Sequence, residues 1–247
     1  EQLQQPEGLV AGGLAGDDGG GRGADGQGGG ADEKQRRLRP GPFERRVEVA
    51  VAGLNFRDVM SLLGVYPGEA GAPGFECAGT VVALGEDVAS LNVGDAVVAL
   101  GTGCLASHVR IDARLARRVP IELDWADVAA QPVAYLTAFL ALEGVRSGER
   151  VLVHAAAGGV GQAAVAYARH LGAEVLATAG SEVKRAWLRE QGVARVFDSR
   201  SLDFVRAGRV DRVVNCLGSG AIPAGLDLLA PGGRFVELAR AGIWTDE

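Results

Sequence analysis

The residues best suited to chemistry form one short run, Ala155-Ala156-Ala157-Gly158-Gly159-Val160-Gly161. It follows a buried-type apolar segment, Arg150 to His154, and opens a helical one, Gly159 to Leu171. Strand, glycine turn and helix in that order predict a dinucleotide loop of the form Ala-x-Gly-x-x-Gly, read from Ala156. Gly158 lets the backbone approach a pyrophosphate, and Gly161 lets the helix pack close to the strand. The helix N-terminus then faces the phosphates with open N–H groups and the positive end of its dipole. A purely structural glycine turn is the competing reading, and the strand–turn–helix setting argues against it.

The following strand, Glu174 to Thr178, chooses the nucleotide. A site for NAD needs an Asp or Glu at that strand's end to accept from the ribose 2′-hydroxyl. Here the strand runs into Thr178-Ala179-Gly180-Ser181, with no acid, and Lys184 and Arg185 follow within a helical turn. A hydroxyl and two cations suit a 2′-phosphate, so the pattern predicts NADPH. Lys184 and Arg185 also fit as solvated helix charges, and Glu182 pulls toward the opposite choice.

Other ionisable groups carry less. His154 ends the first strand beneath the glycine loop and reads as structural. His108 and His170 have no partner at ligand spacing. Glu76 is expected to order its own loop. Cys77, Cys104 and Cys216 lack Cys-x-x-Cys spacing and fall in apolar runs, so they read as buried free thiols.

Positioning these residues requires two kinds of element. Between Pro42 and Pro120 the chain alternates like strands at Val47, Val49 and Val51, then at Thr80 to Leu84 and Ala96 to Leu100. Turn signals separate the runs at Gly85-Glu86-Asp87 and Gly94-Asp95. A small, mostly β domain is predicted. After Leu123, strands containing Val151, Val175, Val196, Val213 and Val236 alternate with helical segments, Ser181 to Gln191 and Ile222 to Leu229 among them. Such βα units imply a parallel, doubly wound sheet and an α/β fold. Before these, half the residues from 11 to 32 are glycine, a composition that cannot repay its ordering entropy by apolar burial. The expected division is a flexible linker over 1–42, a catalytic domain over 43–123 and a nucleotide domain over 124–247.

Composition narrows the partners. The 31 acidic residues outnumber the 25 basic ones, and only Lys34 and Lys184 are lysines, so a nucleic-acid partner is not expected. No run approaches the ~18 apolar residues that span a bilayer. A soluble, cytoplasmic protein without a membrane partner is expected.

Several motifs together resemble one family. Gly53-Leu54-Asn55-Phe56-Arg57-Asp58-Val59-Met60, Tyr66-Pro67-Gly68-Glu69, His154 through Gly161, and Asp198-Ser199-Arg200-Ser201-Leu202-Asp203-Phe204 resemble enoylreductase domains of polyketide synthases and animal-type fatty acid synthases. Gly79 through Gly94-Asp95-Ala96-Val97 is similar to the wider medium-chain dehydrogenase/reductase pattern. The likeness runs from about Arg46 to Glu247.

The resemblance implies a GroES-like catalytic domain beside a Rossmann domain, with NADPH in the cleft between them. It implies reduction of an α,β-unsaturated thioester carried on an acyl carrier protein, next to other synthase domains such as a ketoreductase. Asn55 and Thr137 are then expected to border the nicotinamide and its ribose, and backbone around Val236 to meet the carboxamide. Tyr66 falls at the position tied to α-carbon protonation, with an ordinary turn aromatic as its plainer alternative. Arg240 stands where relatives carry a lysine; it can stabilise an enolate but donates a proton poorly. Zinc-dependent relatives have Gly-His-Glu where this chain has Gly74-Phe75-Glu76, and a cysteine where it has Asn55, so no metal is expected. The family also continues past the fifth Rossmann strand, so the C-terminal part is expected to be missing here. A free-standing NADPH:quinone or enone reductase and a catalytically inactive structural domain are the two alternatives.

Overall fold

A computed structural model describes residues 39–239, apart from 67, 70, 121 and 219. The glycine-rich stretch through residue 38, and Arg240, lie outside the described residues.

The N-terminal half of the described chain builds one antiparallel sheet. Its strands are β1 (Glu44–Gly53), β2 (Glu76–Leu84), β3 (Ala96–Leu100), β4 (His108–Asp112) and β5 (Ala116–Arg118), in the order β4-β1-β2-β3-β5. Period-two alternation turns Val47, Val81, Val97, Val109 and Ile111 into a common core with Cys77 and Cys104. Arg45 shares the parity of Val47 and is buried with it, donating through Nη2 to the Ala113 carbonyl. A short helix, α1 (Phe56–Leu62), leaves β1 immediately after Asn55.

Two helices, α2 (Trp125–Ala129) and α3 (Pro132–Ala141), lead into the second sheet. Pro132 opens α3, where its missing N–H costs nothing. Five parallel strands follow: β6 (Arg150–Val153), β7 (Glu174–Ala179), β8 (Arg195–Asp198), β9 (Val210–Asn215) and β10 (Leu229–Glu237). Their order is β10-β9-β6-β7-β8. The helices between them are α4 (Gly159–His170), α5 (Glu182–Glu190) and α6 (Ala221–Asp227).

Both faces of this sheet are covered, which is why its strands are apolar without alternation. Val151, Val153, Val175 and Ala177 point into a core shared with α3, α4 and α5. Leu152, Leu176 and Val213 point the other way, onto Phe204, Ala221 and Leu228. Alanines dominate where α3 meets α4, so the two helices approach closely.

The last strand departs from the predicted outline. The helix expected over Ile222 to Leu229 stops at Asp227, because the Leu228 carbonyl accepts from Val210 N–H and Leu229 already pairs with Val210. β10 thus begins five residues before the expected Arg234. It crosses Pro231-Gly232-Gly233 with a register shift before regaining the ladder at Arg234. Among the described residues, no helix is long and apolar enough to cross a membrane.

Candidate active site: a dinucleotide cradle beside a buried carboxylate

The glycine loop sits at the carboxyl end of β6, where open α/β sheets bind ligands. Ala155 has φ +48°, a left-handed conformation that non-glycine residues avoid. Gly158 caps α4 in an extended conformation and donates to the Ala155 carbonyl at 2.9 Å. A Cβ at Gly161 would lie 2.5 Å from that carbonyl oxygen and 2.6 Å from Ala156 Cα, so helix and turn touch backbone to backbone. A Cβ at Gly159 would meet nothing within 4 Å, which leaves the outer side of the turn open to a ligand. Close packing behind the loop and space before it are what a pyrophosphate cradle requires, and the first-turn N–H groups of α4 face that space. Ala157, Gly158, Gly159, Val160 and Gly161 run from this turn into the first turn of α4.

The tip of β7 is built differently from the expectation. Ser181 N-caps α5, its Oγ accepting from Lys184 N–H at 3.4 Å. Lys184 is exposed. The Arg185 guanidinium is committed elsewhere: it meets Asp198 and Glu182, each at 3.0 Å, and donates to the Ala179 carbonyl at 3.0 Å. Arg185 therefore braces the tip with its charge largely matched. A cation that sequence reasoning left without a role lies closer. Arg200 Nε is 3.7 Å from where a Gly180 Cβ would be, with Ser199 Oγ at 3.3 Å. The Asp198 carboxylate fixes that turn by accepting from Arg200 N–H at 2.9 Å. The only signal in the sequence was the arginine inside the Asp198-Ser199-Arg200 run.

Asn55 and Thr137 are far apart in sequence, and one side chain, Glu76, ties Asn55 to the helix that carries Thr137. Asn55 Nδ2 donates to Glu76 Oε1 at 2.8 Å, and Glu76 Oε2 accepts from Val133 N–H at 2.7 Å. One turn along α3, the Thr137 hydroxyl donates to the Val133 carbonyl at 2.7 Å. Glu76 is buried, and it ties β2 and Asn55 to the start of α3 instead of ordering its own loop. Gly53 makes room for it: a Cβ there would lie 2.5 Å from Glu76 Cγ and 2.6 Å from the Ala129 carbonyl. Periodicity could not reveal this link, because it spans 57 residues.

Tyr66 follows α1 in the chain. The Arg57 guanidinium lies over its ring at 4.8 Å and over the Phe75 ring at 4.2 Å. Asp58, fully buried, holds this corner by accepting from Asn55 N–H at 2.9 Å and from Gly74 N–H at 2.7 Å. Phe75 is thus an aromatic platform for a cation. Among the described residues no group of three or more His, Cys, Asp or Glu side chains is placed to hold a metal.

Val236 lies on β10 beside β9. The adjoining Glu237 accepts from buried Asn215 Nδ2 at 2.8 Å and from Ala239 N–H at 2.7 Å, fixing the chain just beyond the strand. Burial, then Glu237, pushes the Cys216 thiol up to about 11, which leaves it a poor nucleophile. His154 is buried, and burial lowers its pKa to about 4, so it is neutral near pH 7.

Fold and loop together define an oxidoreductase of the medium-chain dehydrogenase/reductase type. Residues 41–121 match the alcohol dehydrogenase GroES-like domain, and residues 159–243 match the zinc-binding dehydrogenase model. Within that superfamily the chain belongs to the enoylreductase domains of polyketide synthases. It is similar to the crystal structure of CurK enoyl reductase at 39% identity and TM-score 0.79, over 84% of this chain and 69% of that one. It is 44% identical over 224 residues, 85% of its length, to a component protein of the phenolphthiocerol/phthiocerol polyketide synthase of Mycobacterium tuberculosis. It is also 45% identical, over 91% of its length, to a spectinabilin polyketide synthase protein of Streptomyces orinoci. The chain spans about a tenth of the length of these synthases: 10% and 11%. The Escherichia coli quinone oxidoreductase solved with NADPH is similar at 28% identity and TM-score 0.75, over 85% of this chain and 69% of that one.

Proposed function

We propose that this chain is an NADPH-dependent enoyl reductase acting on an α,β-unsaturated thioester carried by an acyl carrier protein within a polyketide synthase. The observation that carries this reading is the pairing of the Gly158–Gly161 cradle with a strand end, Thr178 to Ser181, that itself carries no acid and is flanked by Lys184 and Arg200. NADPH, when bound, supplies a hydride for the β-carbon of the substrate.

The chain's own residues supply orientation, charge and a proton. The α4 N-terminus and the loop N–H groups hold the pyrophosphate. Ser181, Lys184 and Arg200 hold the 2′-phosphate, with Arg185 bracing the tip. Asn55 and Thr137, fixed through Glu76, border the nicotinamide and its ribose, and Val236 backbone meets the carboxamide. Negative charge then develops on the thioester oxygen and α-carbon. The Tyr66 phenol delivers a proton to the α-carbon, with the Arg57 cation over its ring compensating the charge left behind. Arg240 stabilises the enolate. Neither step draws on a metal: Phe75 and Asn55 occupy the positions where zinc-dependent relatives carry ligands.

The test is turnover. Purified protein is assayed for NADPH oxidation with a crotonyl thioester on carrier protein or pantetheine, and in parallel with benzoquinone. Thioester reduction above quinone reduction is expected, and Tyr66→Phe should lower kcat by about a hundredfold, the scale of general-acid catalysis. Quinone turnover without thioester turnover would reassign the chain to the quinone reductases. Tight NADPH binding with neither reaction would make it a structural domain of its synthase.

A further inference from the structure

The most completely buried polar pair near the cradle has no role in the steps above. His154 and Thr178 are both fully buried, at the ends of adjacent strands β6 and β7. His154 Nδ1 lies 3.1 Å from Thr178 Oγ1, and the same oxygen accepts from Ala155 N–H at 3.3 Å. The Thr178 carbonyl accepts from Ala156 N–H at 2.9 Å. Thr178 therefore grips the loop on both sides of Ala155, the one described non-glycine residue with positive φ.

A left-handed alanine is unfavourable and persists only where its surroundings over-determine it. Proton accounting shows how this happens. A hydroxyl has one proton and two lone pairs. Oγ1 takes the Ala155 N–H on one lone pair, and a neutral imidazole pairs with it through Nδ1 in either tautomer, as acceptor of the hydroxyl proton or as donor to the second lone pair. The ring is held in turn by Phe204, packed edge-on with centroids 4.8 Å apart. His154 Nε2 has no hydrogen-bond partner among the described residues, so the ring's polar purpose here is Thr178.

We infer that Thr178, oriented by His154, is a positioning residue for the dinucleotide: it holds Ala155 left-handed and so sets the loop N–H groups that receive the pyrophosphate. This rests on the NADPH reading. Its effect acts on the pyrophosphate and not on the 2′-phosphate, which sits beyond Gly180.

The test compares two probes, NADPH and 2′-AMP, by calorimetry on the full chain, with kcat and KM measured alongside. Thr178→Val keeps the shape and removes the hydroxyl. It should weaken NADPH about tenfold, raise KM with kcat little changed, and leave 2′-AMP affinity unaltered. Thr178→Ser should restore NADPH binding to within about threefold. If Thr178→Val does not accumulate folded, Thr178→Ser and His154→Phe carry the test, the first binding like the parent and the second weakening NADPH but not 2′-AMP. Equal NADPH affinity in Thr178→Val, failure of serine to rescue, or equal loss for both probes would overturn the inference. Failure of the unaltered protein to bind NADPH would overturn the cofactor reading instead.

Discussion

Burying a neutral histidine makes stability depend on pH in a window that few other groups share. The pKa of His154 falls from 6.5 to about 4 on folding, because burial disfavours the cation. Between those values the unfolded chain binds a proton that the folded chain does not. Stability is therefore full above about pH 6.5 and falls as the pH drops toward 4. At about 1.4 kcal/mol per pH unit, the loss reaches about 2.5 kcal/mol near pH 4.5 and about 3 kcal/mol in the limit. Asp95, Asp112 and Glu182 are held below their usual values by hydrogen bonds, from Asn92 N–H to Asp95 and from arginine side chains to the other two. Their contributions are present above the ordinary carboxylate range and are lost below it, at lower pH than the histidine's. Urea unfolding followed by tryptophan fluorescence, at several pH values from about 7.5 to 4.5, isolates the histidine when compared with His154→Gln. That side chain can still pair with Thr178 and does not titrate. The unaltered protein should lose about 2.5 kcal/mol more than the variant across the window. Parallel curves would show that the imidazole is not held neutral by the fold, and the argument from burial would be wrong.

Other perturbations address the remaining parts of the site. Glu76→Gln replaces one acceptor with a donor facing either Asn55 Nδ2 or Val133 N–H; a loss of about 2 kcal/mol in urea unfolding and a raised KM for NADPH are expected, and an unchanged midpoint would count against the bridge. Gly161→Ala drives a methyl into the Ala155 and Ala156 backbone, so NADPH binding by calorimetry should be lost along with about 2 kcal/mol or more of stability. Arg200→Ala should narrow the preference for NADPH over NADH by about 1–3 kcal/mol, and Lys184→Ala likewise, whereas Arg185→Ala should chiefly lower the melting temperature. Equal nucleotide preference before and after Arg200→Ala would return the phosphate contact to Arg185.

The parts legible in the sequence were those governed by short-range periodicity. Val151-Leu152-Val153 had to be a strand buried on both faces, and a glycine turn before an alanine-rich helix had to approach it closely. The parts that escaped depend on contacts across the fold. Glu76 looked local because its partners, Asn55 and Val133, come from two other elements. Arg185, with Ser181 and Lys184, looked like a phosphate ligand because it lies within a helical turn of the end of β7, but Asp198 arrives from β8 and claims it. The same turn delivers Arg200 to Gly180. The start of β10 was hidden because proline and two glycines inside a strand read as a turn, whereas here they form a register shift.

The bridge through Glu76 also has a consequence for how such chains can diverge. Gly53 must lack a side chain for Glu76 to pass, Glu76 must be charged or doubly accepting to hold two donors, and Asn55 must offer an amide. No single replacement at these positions improves on the present arrangement, since each leaves a buried group unmatched or a methyl in occupied space. Among chains that carry asparagine at position 55, Gly53 and Glu76 should therefore be inherited with it. A survey of Asn55-bearing relatives in which Gly53 or Glu76 varies freely would contradict this.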